Sequence, residues 1–590
     1  MIENDNSIEA VRHSLSHLLA FSVKELFPGS QNAIGPAVEN GFYQDFEIAG
    51  TLTEDDLPKI EAKMKEVLQS WQGFERREAD LNDALTVFAD NKYKQELATE
   101  FAEGGKTLTI YTSGTFVDLC KGGHVQDIKA INPDGFKLMK VAGAYWRGDE
   151  KNIMLTRVYG VAFATAKELR QHLEMLEAAK KRDHRKLGKE LDLFVISDLV
   201  GPGLPLFTPR GTVLRNKLIE FSEELQKQGG YQETWNPHMT RVELYKTSGH
   251  YDKYPERFDV SSVESDDAFM MKPMNCPHHT QIYASRPRSY KDLPLRFMET
   301  TTMYRDEKSG ELHGLSRVRA LTQDDSHAFV RHDQIEFEMQ SLLGMVKQMY
   351  LTLDMQLSVE LSFRDDSDNY FGDREVWARA EEIIERVAAT EQLDYKVEKG
   401  EAAFYGPKID IYISDALGRR WQCATVQLDF VQPERFNLEY TDSDGTKQRP
   451  AMVHKAILGS IERFLSVYIE HTAGRFPIWI APEQVRIITV NQEQSTTDFA
   501  ESIVQKANEL GLRVSVDNEN ESVGKKIRDA EVWKVPYTLV IGEKEIANGQ
   551  VVPRVRSDLV VIAAHPELSV EDFLKTVANE TKMRVNKTSL

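Results

Sequence analysis

LRFMETTTMYRDEKSGELHGLSRVRALTQDDSHAFV, Leu295 to Val330, reads as strand, loop, strand. Leu295 to Tyr304 is rich in aromatic and β-branched residues, which suits a half-buried strand. Asp306 to Gly314 is polar and contains two glycines, so it is predicted to be a loop. Leu315 to Thr322, LSRVRALT, alternates in period two and is predicted to be the return strand, with Arg317 and Arg319 on one face. Arg305 stands where the first strand meets the loop. Guanidinium groups converging from a strand end and its return strand suit a polyanion, because each grips phosphate oxygens in a bidentate fork. A solvated hairpin with ordinary surface arginines satisfies the same pattern.

Working outward, MKPMNCPHH (Met271 to His279) lies upstream and VHKAILGSIERF (Val453 to Phe464) downstream. FMETTTMYRDEKSG followed by LSRVRALTQDDSHAF resembles motif 2 of the class II aminoacyl-tRNA synthetases. With its two flanks the chain resembles the threonyl-tRNA synthetase family, from HSLSHLLA near the start to the last α/β segment. The family usually carries an N-terminal β-grasp domain before its editing domain, whereas this sequence starts almost at the editing helix.

The whole chain sets the bounds. At 590 residues the expectation is roughly three to four domains. Hydrophobic content of 41% and charged content of 28% are those of an ordinary soluble chain. No apolar run reaches the ~18 residues needed to span a membrane. The acidic start MIENDNSIEAVRH has no signal core, and three cysteines cannot build a disulfide framework. A cytoplasmic protein without a membrane partner is expected. A net charge of −20 argues weakly against non-specific nucleic-acid binding, so an RNA partner needs a local basic surface. Lys180 to Lys189, KKRDHRKLGK, is one candidate, and a solvated linker helix is the other reading of it.

Ile8 to Phe27 reads as an amphipathic helix ending at Pro28-Gly29. His13 and His17 are four apart and project from one helical face. In YTSGTFVDLCKGGHV, Cys120 and His124 share that spacing beside Asp118 and the flexible Gly122-Gly123. Two such pairs suit a metal or hydrolytic cluster. They resemble the editing domain of threonyl- and alanyl-tRNA synthetases, which implies an α+β editing domain. The resemblance carries the hydrolysis of mischarged seryl-tRNA-Thr to His13, His17, Cys120 and His124, with Asp118 beside them. A charged helix, Lys167 to Lys189, follows as a linker.

From Gly203 to Met239 the pattern gives a loop, a helix from about Gly211 to Gln228 and a strand ending at Pro237. This resembles motif 1 and implies a homodimer through that region. Cys276, His327 and His454 supply one thiolate and two imidazoles, three donors that leave a fourth position open. The resemblance assigns one zinc ion per subunit to them and passes over His278 and His279. Arg419 to Phe430, RRWQCATVQLDF, is predicted to be a strand whose polar Thr425 and Gln427, with Gln422 nearby, line a cleft. Lys455 to His471 is predicted to be a helix opened by His454, with Arg463 on it, and resembles motif 3.

The last segment alternates short β-branched runs (VRIITV, LRVSVD, YTLVIG) with helical stretches, which implies a small doubly wound α/β domain. It resembles the anticodon-binding domain of class IIa enzymes. The expected architecture is therefore multidomain α+β and α/β. It comprises an editing domain at 1–165, a linker helix at 166–190, a class II antiparallel-sheet catalytic domain with zinc at 191–480, and an anticodon-binding domain at 481–590.

The resemblance implies attachment of threonine to tRNA-Thr through threonyl-adenylate, using ATP with Mg²⁺. In that reading Arg305 holds the α-phosphate, and Arg317 and Arg463 the β- and γ-phosphates. Glu307 reads the adenine, and Thr425 lies on the ATP side. Gln323, Asp325, Tyr405, Lys408 and Gln427 line the threonine side, Gln422 serves both, and Lys408 joins Arg305 and Arg463 as catalytic. Two other readings stay open: a class II synthetase for another amino acid such as proline or serine, and a non-catalytic relative that binds RNA.

Overall fold

The computed structural model describes residues 7–561 and 567–590. The chain divides into two compact units, Met1–Ala178 and Ala179–Leu590.

In the first unit the opening helix is Ile8–Leu26, capped by Ser7, whose hydroxyl accepts from the Ala10 amide. It buries Leu15, Leu18 and Leu19 against Phe42, Phe46 and Val158 of a five-stranded sheet and against Ile60 and Met64 of the Leu57–Ser70 helix. A second, three-stranded sheet joins Glu75–Ala79, Leu108–Ser113 and Phe116–Leu119. The strand Phe116–Leu119 delivers Asp118 and leads into an irregular loop holding Cys120 and His124. Gly122 sits in that loop at φ +97°, and a Cβ there would lie 2.4 Å from the Tyr111 hydroxyl, so only glycine fits.

The second unit is built on an eight-stranded sheet. Its two outermost pairings, Gln232–Glu233 with Leu295–Tyr304 and Gln356–Phe363 with Tyr395–Lys399, are parallel. Every pairing between them is antiparallel. The helices Pro209–Gln228, Ile335–Thr352 and Ile461–Thr472 contribute Leu218, Leu342 and Phe464 to its apolar core. Beyond Pro482 a separate four-stranded sheet holds three parallel strands, Val485–Thr489, Val514–Asp517 and Tyr537–Ile541, with an antiparallel edge at Arg554–Val555. The β-branched runs thus form the doubly wound segment their pattern predicts.

Four expectations are corrected. The return strand of the hairpin is Ala320–Val330, not Leu315 onward. Residues 314–317 are a turn: Gly314 takes φ +53° and the Ser316 amide donates to the His313 carbonyl at 2.9 Å. Arg317 therefore stands on a turn and not on a sheet face. Ala451–Ser460 is a strand, so His454 lies mid-strand and the helix begins only at Ile461. That strand is buried on both faces, so no two-residue alternation distinguishes it from a helix. The linker is two helices, Ala166–Arg182 and His184–Glu190, broken at Asp183, whose carboxylate caps the second by accepting from the Arg185 amide. The motif 1 strand is shorter than expected, Gln232–Glu233 alone.

Candidate functional site

Cross-strand register assembles the first cluster. Phe297, His327, His454, Gln427 and Lys408 are Cα partners in succession across five adjacent antiparallel strands. Residues directly opposite one another project to the same face, so sequence positions up to 157 apart meet on one row. Cys276 arrives from the first turn of the Cys276–Ala284 helix, where Pro277 is tolerated because the amide it removes has no helical partner. The ligand atoms of Cys276, His327 and His454 lie within 4.8 Å of one another, all three residues buried.

The outer partners fix which nitrogens remain free. His279 Nδ1 meets His327 Nδ1 at 2.7 Å, leaving Nε2 of His327. Asp429 Oδ2 meets His454 Nε2 at 2.8 Å, leaving Nδ1 of His454. Metal-binding histidines typically tie their second nitrogen in this way. Burial pushes the Cys276 thiol up, with Asp325 and Asp429 adding to the effect, and burial pushes His327 down, so neither group carries charge unaided. One thiol and two imidazoles with opposite nitrogens engaged fit a zinc ion. Burial also raises the Asp325 carboxyl to about 8, with Glu299 and Asp324 contributing.

Behind the row sits a carboxylate that the sequence reading passed over. Glu299 accepts from the Asn236 amide at 2.8 Å and from Asn275 Nδ2 at 2.8 Å, and so ties the end of motif 1 to the loop before Cys276. Burial opposes its charge, but His279 and these donors hold its pKa down to about 2. Tyr405 stacks on His454 with ring centroids 4.9 Å apart and donates to Gln427 Oε1 at 2.5 Å. Gln427 in turn donates to Thr425 Oγ1 at 3.2 Å. Lys408 Nζ and Gln422 Nε2 converge on Asp410 at 2.6 and 2.7 Å. Gln323 stands one strand over, opposite Thr301 and Ser460.

The arginines differ in what already holds them. Arg305 has no carboxylate partner among the described residues: it reaches Met274 Sδ at 3.2 Å, and its buried Nε is unpaired. Arg463 donates from Nε to the Ser316 carbonyl at 3.2 Å and likewise pairs with no carboxylate there. Arg317 is exposed and pairs with Glu307 at 2.7 Å and with Glu311. Arg305 and Arg463 therefore keep uncompensated charge for an anion.

The second cluster is in the first unit. His13 Nε2 lies 3.3 Å and His124 Nε2 3.5 Å from Cys120 Sγ. His17 Nδ1 is 3.1 Å from Asp118 Oδ2, and Lys94 Nζ is 2.6 Å from Asp118 Oδ1. Burial opposes the thiolate, yet His124, His13 and His17 hold Cys120 well below the ordinary thiol range. Burial also opposes the His17 imidazolium, but Asp118 and Cys120 raise it to about 9. Burial drives His124 down to about 4, which makes it a neutral base at pH 7. Lys94 has no signature in the sequence: it lies on the Lys92–Glu103 helix far from either pair.

Three family models match the chain. Residues 258–472 match the tRNA synthetase class II core domain (G, H, P, S and T) and 484–580 the anticodon binding domain. Residues 108–159 match the threonyl and alanyl tRNA synthetase second additional domain. Threonine–tRNA ligase of Cytophaga hutchinsonii is 45% identical over 581 residues, covering 96% of this chain and 88% of the relative. Threonine–tRNA ligase of Thermotoga maritima is 44% identical over 588 residues, covering 99% and 90%. Among solved structures, the RNA binding domain of threonyl-tRNA synthetase from Cryptosporidium parvum superposes with a TM-score of 0.64 at 34% identity, over 69% of this chain and 99% of that one. Prolyl-tRNA synthetase of Giardia lamblia, at 18% identity and a TM-score of 0.54 over 70% of this chain and 81% of that one, shares the fold alone.

Proposed function

The chain belongs to the threonine–tRNA ligase family, and from that premise we propose how its two clusters divide the work. The reaction joins threonine to tRNA-Thr through threonyl-adenylate, with hydrolysis of mischarged seryl-tRNA-Thr. The four-part division at 165, 190 and 480 is part of the reading. So is a cytoplasmic homodimer through the Gly211 to Pro237 region. Trp235, 77% exposed, supports that interface, and sedimentation at micromolar concentration tests it. Among the described residues no helix is long and apolar enough to cross a membrane.

In the activation step the threonine carboxylate displaces pyrophosphate from the ATP α-phosphate. In-line displacement needs positioning and charge neutralisation more than covalent chemistry. Arg305, with its unpaired Nε, takes the α-phosphate, and Arg463 and Arg317 take the β- and γ-phosphates of ATP, which arrives with Mg²⁺. For Arg317 this requires leaving Glu307, which frees that carboxylate for the adenine amino group. Cys276, His327 and His454 would hold zinc, which supplies a Lewis-acid contact for the threonine amino and hydroxyl groups. Asp325, with an unpaired buried Oδ2, accepts from that hydroxyl. Gln323, Tyr405, Lys408, Gln422 and Gln427 surround the rest of the amino acid.

Such a site rejects valine, because an absent hydroxyl leaves buried polar partners unpaired, a discrimination that reaches ~10⁴ or more. Serine keeps both polar groups and lacks only a methyl, worth about 1–3 kcal/mol. A hydrolytic second site must follow. There the Cys120 thiolate and the His17 imidazolium hold fixed charge around the ester. Neutral His124 takes a proton from the attacking water and returns it to the ribose oxygen as the ester bond breaks.

The observation that carries this reading is the convergence of Cys276, His327 and His454, each histidine oriented by its own outer partner. Zinc content measured beside an amino-acid activation panel tests it. The expected result is one zinc per subunit and threonine-dependent exchange, with both lost in Cys276→Ser. Activation at the wild-type rate by a metal-free Cys276→Ser would refute it.

A further inference from the structure

His184 has no part in either cluster, yet it is 1% exposed and fully committed. It opens the short helix that follows Asp183. Its ring Nδ1 faces Glu470 Oε1 at 2.7 Å, and its own amide donates to the same oxygen at 3.1 Å. Its Nε2 accepts from the Leu315 amide at 3.1 Å. An amide can only donate, so Nε2 carries the lone pair and Nδ1 the proton, which Glu470 receives. Glu470 is held in turn by Arg419, and Arg419 Nε donates to Asp415 Oδ2 at 2.6 Å.

Leu315 is central to the turn that replaces the expected strand, and its side chain is fully buried. Gly314 approaches so closely that a Cβ would lie 2.2 Å from His184 Nε2, at φ +53°. The next carbonyl, that of Ser316, accepts from Arg463 Nε, and the next residue is Arg317. Two consecutive residues of one turn are thus held, Leu315 by His184 through its amide and Ser316 by Arg463 through its carbonyl.

We propose that His184 is a positioning residue for the ATP side of the synthetic site: it fixes the Leu315 amide, and with it the turn that presents Arg317 and meets Arg463. The proposal rests on Arg317 and Arg463 as phosphate ligands. The ligand atoms of Asp183, His184 and Glu470 also lie within 4.8 Å of one another, but both nitrogens of His184 are in use, so no lone pair is left for a metal. A histidine that merely filled the core would not need its acceptor aimed at an amide outside any helix or strand.

The test compares His184→Asn, which keeps a donor near Glu470 but loses the outer acceptor, with His184→Gln, which restores an acceptor at that position. In ATP–pyrophosphate exchange, His184→Asn raises KM for ATP about tenfold, the worth of one buried hydrogen bond, with KM for threonine within about twofold. His184→Gln stays within about threefold of wild type in both. Equal KM values for ATP in the two variants, or a parallel rise in both Michaelis constants, overturns the proposal. Arg463→Ala is measured alongside: if it leaves exchange intact, the phosphate reading fails, whereas a damaged Arg463→Ala with an unaffected His184→Asn removes only the clamp. Should neither His184 variant fold, amide exchange in the wild-type chain decides. Leu315 must exchange slowest among residues 312–319, and fast exchange there contradicts the clamp.

Discussion

Two clusters of cysteine and histidine in one chain are built to opposite electrostatic plans. Around Cys276 the neighbours that matter are carboxylates, Asp325 and Asp429, and burial keeps the thiol protonated and His327 neutral. Around Cys120 three histidines converge on the sulfur, while Asp118, itself paired with Lys94, and Cys120 hold the charge of His17. The first cluster keeps its thiol protonated and suits an external cation, because zinc draws the proton off a coordinating thiol. The second makes its own ion pair. Donor types alone would not separate them; the sign of the surrounding charge does.

The largest expected effect breaks the comparison on one side only. Arg305→Ala or Arg463→Ala removes charge stabilisation that grows in the transition state, at a cost of about 3–4 kcal/mol, or roughly 10²–10³ in exchange rate. Hydrolysis of seryl-tRNA-Thr should stay unchanged in both. A loss of tenfold or less in exchange for both variants would return these arginines to the ordinary surface.

A smaller effect concerns the outer partners. His279→Ala or Asp429→Asn frees the second nitrogen of His327 or His454, and zinc affinity should fall by about 10–100-fold. Competition against a chelator measures it, and unchanged affinity means the metal sits elsewhere.

The smallest effect sharpens the other side. A thiolate maintained by neighbouring imidazolium should alkylate at nearly the same rate at pH 6 and pH 8, whereas an ordinary thiol near pKa 8.5 changes about tenfold per pH unit below that value. The stabilisation from His17, whose pKa is raised, is complete below the unfolded value near 6.5. It is lost as pH rises through about 9. Mass spectrometry should find label at Cys120, which is partly exposed, and none at buried Cys276 or Cys423. His17→Gln should steepen the pH slope, with His13 and His124 still on the sulfur, and a normal slope in the unaltered chain would contradict the ion pair.

Much of this was readable from local pattern. The strand Leu295–Tyr304, the arginine at its end and both four-residue pairs are features of a few consecutive residues, where side-chain period and spacing carry the information. The helix expected from Lys455 starts six residues too early because both faces of the strand Ala451–Ser460 are buried and no period survives. The strand expected from Leu315 starts only at Ala320, because LSRVRALT alternates by composition while the Leu315 amide is bonded to His184, 131 residues earlier. His279, Glu299, Asp429 and Lys94 were missed for a related reason. Each acts on a partner set by strand register or by helix packing, and no spacing rule spans those separations.

The central claim is that synthesis and hydrolysis belong to separate clusters with separate chemistry. Deacylation of preformed seryl-tRNA-Thr by Cys276→Ser and by Cys120→Ala tests it most directly. Cys276→Ser should hydrolyse the ester at the wild-type rate although it no longer activates threonine, and Cys120→Ala should leave the ester intact while charging threonine normally. Equal hydrolysis by the two variants, fast or slow, would contradict the division.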